Sequence, residues 1–181
     1  FSLTNTLGPG ATITGTSGGS QNTNVNAPLA LPLQATVKDS GGTPVPGVIV
    51  TFTAFTGASG ASGTFPGGVT SVQVTTDASG VATAPTFTTN NTVGGPYTVT
   101  ATVTGIVGQA NFSLTNTLGA GATITATGGT PQSTIIATFF ALPLKATVKT
   151  SGGIPVPGVT VTFAAPISGA SATFGGLNPL A

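Results

Sequence analysis

The chain has no Cys, Met, Trp, His, Arg or Glu, and carries only five charged side chains: Lys38, Lys145, Lys149, Asp39 and Asp77. Each absence removes a class of chemistry. General acid–base catalysis draws on His, Glu, Asp, Lys, Tyr or Cys, and only the two Asp, the three Lys and the single Tyr97 remain. Without His or Cys, neither a Ser–His nor a Cys–His nucleophile can be assembled. Zinc lacks its preferred ligands, and two separated Asp residues are too few for a carboxylate calcium cage. The expectation is a chain that is not an enzyme, with no catalytic residues, no metal site and no cofactor. A net charge of +1 cannot neutralise a run of phosphates, which argues against a nucleic-acid partner. The lack of cysteine leaves packing and hydrogen bonding as the sources of stability.

What is present is 39% hydrophobic residues with abundant Gly, Pro, Thr and Ser. Disordered chains combine low hydrophobicity with high charge, and this composition has neither property. The longest apolar candidate for a membrane span, Ile135 to Leu144, is short and interrupted by Thr138 and Pro143. The strongest organising signal is an internal repeat. Phe1–Thr14 (FSLTNTLGPGATIT) returns as Phe112–Thr125 (FSLTNTLGAGATIT), 111 positions later with one change. At the same offset LPLQATVKDSGGTPVPGVIVTF (31–52) becomes LPLKATVKTSGGIPVPGVTVTF (142–163), while nothing in 112–181 corresponds to 69–111. A repeat defines the folding unit, and this one has the size of a single compact domain.

Within the repeat, Val, Thr, Ile and Phe alternate with polar residues between Gly, Pro, Ser and Asn clusters, the signature of strands and turns. Ile13 and its neighbours form an opening strand, and GTSGGSQNTNVN (15–26) reads as loop or irregular edge. Leu31, Leu33, Ala35 and Val37 make one inward row, and Val48, Val50, Phe52 and Ala54 the next. Pro44 and Pro46 cannot donate to a central ladder and place their stretch at an edge. Strands follow from Val72, from Val81 and over Tyr97–Val103, and Ala110, Phe112 and Leu114 close the unit. Seven or more strands in roughly 110 residues match an immunoglobulin-like sandwich. The fold class expected is therefore all-β: tandem immunoglobulin-like β-sandwich domains, the second one incomplete. Residues 1–7 read as the closing strand of a preceding repeat plus linker, 8–117 as a complete sandwich, and 118–181 as the N-terminal part of a second. The segment Asn116 to Gly121 reads as the linker, and in the second unit Val159, Val161 and Phe163 read as a strand.

The run PLQATVKDSGGTPVPGVIVTF, then TTDASGVATA and GGPYTVTATV, resembles a bacterial Ig-like repeat of the invasin/intimin type. Its most specific parts are VPGVxVTF at 45–52 and 156–163 and the DASG turn at 77–80. The resemblance implies an extracellular β-sandwich at the bacterial cell surface, occurring in tandem in large surface proteins and adhesins, where it acts as spacer or stalk. It implies no catalytic site.

Several side chains are candidates for more than packing. Asp77 suits a turn, its carboxylate accepting from backbone N–H groups, better than an isolated metal site. Lys38 is out of phase with the inward row and should face solvent. Tyr97 fits a core tyrosine whose hydroxyl bonds to backbone, as in a tyrosine corner. Asn90 and Asn111 begin N-x-S/T sequences and are candidate glycosylation acceptors. Phe139 and Phe140 have no counterpart in the first repeat, and adjacent residues of a strand cannot both point inward. Together with Phe1 and Leu3 they are the candidate interface. Two functions follow. One is a stalk, fibre or surface filament of end-to-end stacked domains; the other is an adhesin-type module contacting a host protein, a glycan or another cell. The partners implied are further repeats of the same polypeptide or identical neighbouring chains. Three origins suit the unfinished second unit: a longer array, an excised fragment, or a filament subunit completed by a neighbour's strands.

Overall fold

The computed structural model describes residues 7–175. The expectations for Phe1 and Leu3 lie outside the described residues. The chain divides into two units, Phe1–Gly119 and Ala120–Ala181, and all regular structure in the described residues is strand.

The first unit contains β1 (Thr12–Ser17), β2 (Ser20–Asn24), β3 (Gln34–Lys38), β4 (Ile49–Ala54), β5 (Gly63–Thr64), β6 (Ser71–Thr75), β7 (Val81–Thr83), β8 (Thr88–Thr89), β9 (Gly94–Thr102) and β10 (Ala110–Thr117). One sheet runs β1-β3-β7 and the other β2-β10-β9-β4-β6, with a β5-β8 ribbon at the margin. Between the sheets lies one core. Ile13, Leu33, Ala35, Val37 and Ala82 come from the first sheet and its flanks, and Val50, Phe52, Tyr97, Val99, Phe112 and Leu114 from the second. This is an immunoglobulin-like β-sandwich. The period-two rows supply it directly, because alternate side chains of a strand share one face. Phe52 and Phe112 meet across adjoining strands with ring centroids 6.1 Å apart. Phe65 and Phe87 close one end edge-to-face at 5.0 Å.

The polar stretch 15–26 is not a loop. Ser17 ends β1, and SQNTN forms β2, an edge strand parallel to β10 with Leu114 opposite Gln21. Its bonding is backbone work, so polar side chains at the rim are no obstacle. Leu31 departs from its expected inward row and is 55% exposed, whereas Leu33 is 1% exposed. The Gln21 amide explains the break. Its Nε2 donates to the Leu31 carbonyl and its Oε1 accepts the Leu31 N–H, both at 2.9 Å, so a side chain replaces the ladder there and β3 begins only at Gln34. Asn116 is not a linker residue either. β10 continues to Thr117, and Asn116 is 1% exposed. The Tyr97 hydroxyl donates to its Oδ1 (2.9 Å), an asparagine partner where a backbone carbonyl was expected. Its Nδ2 donates to the Ser62 carbonyl, Asn90 Oδ1 and the Thr92 carbonyl. One amide thus ties β10 to β9 and to the loops flanking β5 and β8.

The second unit contains β11 (Thr123–Gly128) and β12 (Lys145–Lys149). Their register repeats that of β1 and β3 residue for residue at the 111 offset, including the bulge before the last pair. Gln132 brackets Leu142 as Gln21 brackets Leu31. Val156 N–H donates to Val148 O as Val45 does to Val37. What does not repeat is the other sheet. The 159–163 stretch forms no strand, although its counterpart in 48–52 runs into β4. β4 is held between β9 and β6, and 112–181 contains no counterpart of either. Phe163, with no equivalent of Phe112 to meet, packs instead against Phe174 at 6.3 Å.

The Asn116 hub sets a testable magnitude. Asn116→Ala strands the Tyr97 hydroxyl and two carbonyls in the interior and should destabilise the first unit by roughly 2–4 kcal/mol in urea unfolding. Asn111→Ala, at an exposed position of the same strand, should cost less than about 0.5 kcal/mol. Equal effects of the two changes would contradict the hub.

Candidate functional site

The two acidic residues build the same turn. Asp77 Oδ1 accepts from Ser79 N (2.8 Å) and Val81 N (3.0 Å), and Asp39 Oδ1 accepts from Gly41 N (2.9 Å) and Thr43 N (2.8 Å). In the second unit Thr150 takes the place of Asp39, its hydroxyl accepting from Ile154 N at 3.2 Å. Gly80 closes the Asp77 turn at φ +71, where a Cβ would stand 2.8 Å from the Val37 carbonyl and the Val45 nitrogen. Both carboxylates are therefore structural elements of hairpins. Among the described residues no group of three His, Cys, Asp or Glu gathers to hold a metal. Lys38 ends β3 and is exposed.

Tyr97 is buried beneath the hub, and desolvation pushes its hydroxyl above the ordinary tyrosine value. The neutral phenol is the form that the fold holds. Asn90 is half-buried: its Nδ2 donates to Gly60 O, while its Oδ1 accepts from Thr92 N and the hub. The nitrogen a glycan would need is thus engaged. Asn111 is exposed on β10 and accepts from Gln109 Nε2 at 2.8 Å.

The largest chemical anomaly is the apolar surface of the second unit. Phe139 is 97% exposed and Phe140 46%. Strand alternation had suggested that one would be inward, but residues 129–144 form no strand and the rule does not apply. Sequence reasoning missed their neighbours Ile135, Ile136, Leu142 and Leu144, all exposed. Together with Phe174 they line an open cavity of about 910 Å³ contained within this unit. The first unit shows why. There Thr89 on β8 holds residues 24–27 by accepting from Ala27 N and donating to Asn24 O, and Leu29 N donates to Phe87 O. With no counterpart of β8 in 112–181, residues 135–138 close their own turn, Thr138 N donating to Ile135 O. The signal that would have found this surface was available: the missing counterpart of 69–111 marks which inward rows lose their cover.

No family model matches the chain, and no curated protein matches it. Two solved structures are similar. One is invasin, described as a bacterial integrin-binding protein, at 24% identity over 86% of this chain and 30% of that one, with a TM-score of 0.46. The other is FdeC, an Escherichia coli adhesin, at 20% identity over 88% of this chain and 46% of that one, with a TM-score of 0.36. The chain spans less than half the length of either.

The single tyrosine offers a pH test with a defined sign. A phenol whose folded value is raised keeps its proton after the unfolded chain has lost its own, so stability is full below about pH 10 and falls as pH rises beyond it. Urea midpoints should decline above that pH, and tyrosinate absorbance should appear together with unfolding. Tyr97→Phe should flatten the decline. Tyrosinate forming near pH 10 in an intact fold would contradict the buried site.

Proposed function

We propose that this chain is a section of an extracellular bacterial surface protein in which stacked immunoglobulin-like sandwiches act as a stalk, fibre or surface filament. One observation carries the reading: the repeat reproduces register, bulge and the glutamine bracket at the 111-residue offset. Selection for a recognition site diversifies loops, whereas a spacer needs the same scaffold again and again. The turn carboxylates and the sparse titratable groups fit a mechanical role, in which ladder bonds between β10 and both its neighbours resist extension. The partners in this reading are further repeats of the same polypeptide or identical neighbouring chains, and the location is the cell surface, as the VPGVxVTF and DASG resemblance implies.

The alternative is an adhesin-type module, and the exposed Ile135, Ile136 and Phe139 favour it. Saturable binding to host cells that is lost in Phe139→Ser would support that reading over the spacer.

Force spectroscopy tests the mechanical role. A chain tethered by its ends should show one discrete unfolding peak, with a contour gain on the order of 350 Å from the sandwich of 8–117. Smooth extension without a peak would sink the stalk reading.

A further inference from the structure

The first unit supplies a template for what covers the second. β1 and β3 present Ile13, Leu33, Ala35 and Val37 to the opposite sheet, and all four are buried. Their counterparts face outward: Ile124 is 59% exposed and Leu144 47%, against 6% for Ile13 and 1% for Leu33. In the first unit β10 lies over this face, placing Phe112, Leu114 and Asn116 in the interior. β10 also makes β2 a strand, pairing with it in parallel from Ser113 opposite Ser20 to Thr117 opposite Asn24. The β2 counterpart in the second unit, residues 131–135, is unpaired with any strand among the described residues. It flanks the apolar cavity.

The sequence of β10 occurs twice. Phe112–Thr117 is FSLTNT, and Phe1–Thr6 is FSLTNT, identical at every position. Each copy is followed by Leu-Gly-x-Gly-Ala and then by the first strand of a sandwich. The first unit closes with the second of these segments, and the described residues of the second unit hold no equivalent closing strand. We infer that Phe1–Thr6 of one copy of this chain is the closing strand of the second unit of another copy. The occupant of the apolar groove is thus a second copy, joined head to tail. Register follows from the template: Leu3 stands opposite Gln132, Thr4 opposite Ser133 and Asn5 opposite Thr134. Phe1 and Leu3 enter the groove as Phe112 and Leu114 enter the core of the first unit. The strand adds no charge, and the groove residues 129–144 contain none, so association is driven by apolar burial and main-chain bonding, as in other strand-addition complexes. Because the donor and acceptor surfaces differ, the contact is heterologous and propagates as an open chain of subunits. The inference deepens the stalk reading, on which it rests, by naming the partner at the junction.

The lack of cysteine makes cross-linking specific. Two single variants, Thr4→Cys and Ser133→Cys, are mixed at equal concentration and oxidised, with Ser151→Cys replacing Ser133→Cys as the off-register control. The expected product is a covalent heterodimer from the first mixture and little from the control. In sedimentation velocity the unmodified chain should form concentration-dependent oligomers. Deleting Phe1–Thr6, or introducing Leu3→Asp, should weaken them at least about tenfold, the least expected from losing one buried leucine. Equal cross-linking of both mixtures, oligomers indifferent to the deletion, or a chain monomeric at all concentrations would each overturn the inference. A monomer that still unfolds under force in one discrete peak would leave the stalk reading intact. Oligomers that assemble in register yet extend smoothly would do the reverse.

Discussion

A sheet with one apolar face is stable in water only when something covers that face, and in this chain the cover is organised by β10. The strand is bonded on both edges, parallel to β2 and antiparallel to β9. Its alternate residues place Phe112 and Leu114 against the opposite sheet and Asn116 at a four-partner hub. Remove it in thought and β2 loses its only ladder, the Tyr97 hydroxyl its acceptor, and β1 its cover. These losses are coupled, because buried polar groups without partners cost as much as missing apolar contacts. The second unit is what the same opening sequence looks like without that strand.

Comparison of the two units separates what is local from what is not. The β11–β12 pairing, its bulge, the glutamine bracket and the Asp/Thr turn all form without the second sheet. Each is made by residues close in sequence or by a single hairpin-like pairing, so each carries its own instructions. By contrast VPGVTVTF, nearly identical to VPGVIVTF, forms no strand at 159–163. β propensity there reflects fit to a half-buried pleated surface, not an intrinsic preference, and without β6 and β9 beside it the surface does not exist.

The same distinction decides what could be read from the sequence. Inward rows at 33–37, 50–54, 97–103 and 110–114 were legible because period-two alternation reports burial directly, and they account for most of the core. The Asp77 turn was legible from Asp and Gly at their offsets. Hidden from view were features set by side-chain replacement of backbone: Gln21 ending the Leu31 row, and Asn116 serving as acceptor for Tyr97. Nothing in the local pattern marks a glutamine or an asparagine as a ladder substitute, since both look like ordinary polar positions of an edge or linker. β2 was hidden for a related reason. Its strand character belongs to its partner.

Near-absence of charge raises the importance of that cover. Most soluble domains keep exposed apolar surface apart by charge repulsion and strongly hydrated side chains, and edge strands are commonly guarded by lysine. The second unit has Lys145 and Lys149, both on β12, and none near Ile135, Ile136 or Phe139. Its open face therefore has no electrostatic guard against a strand of suitable pattern. A neutral strand that alternates apolar and Thr/Asn residues meets no repulsion on approach and finds both a groove and main-chain partners. The sparing use of charge, which removes catalysis and metal binding from the chain's repertoire, is also what leaves the face free to accept such a strand.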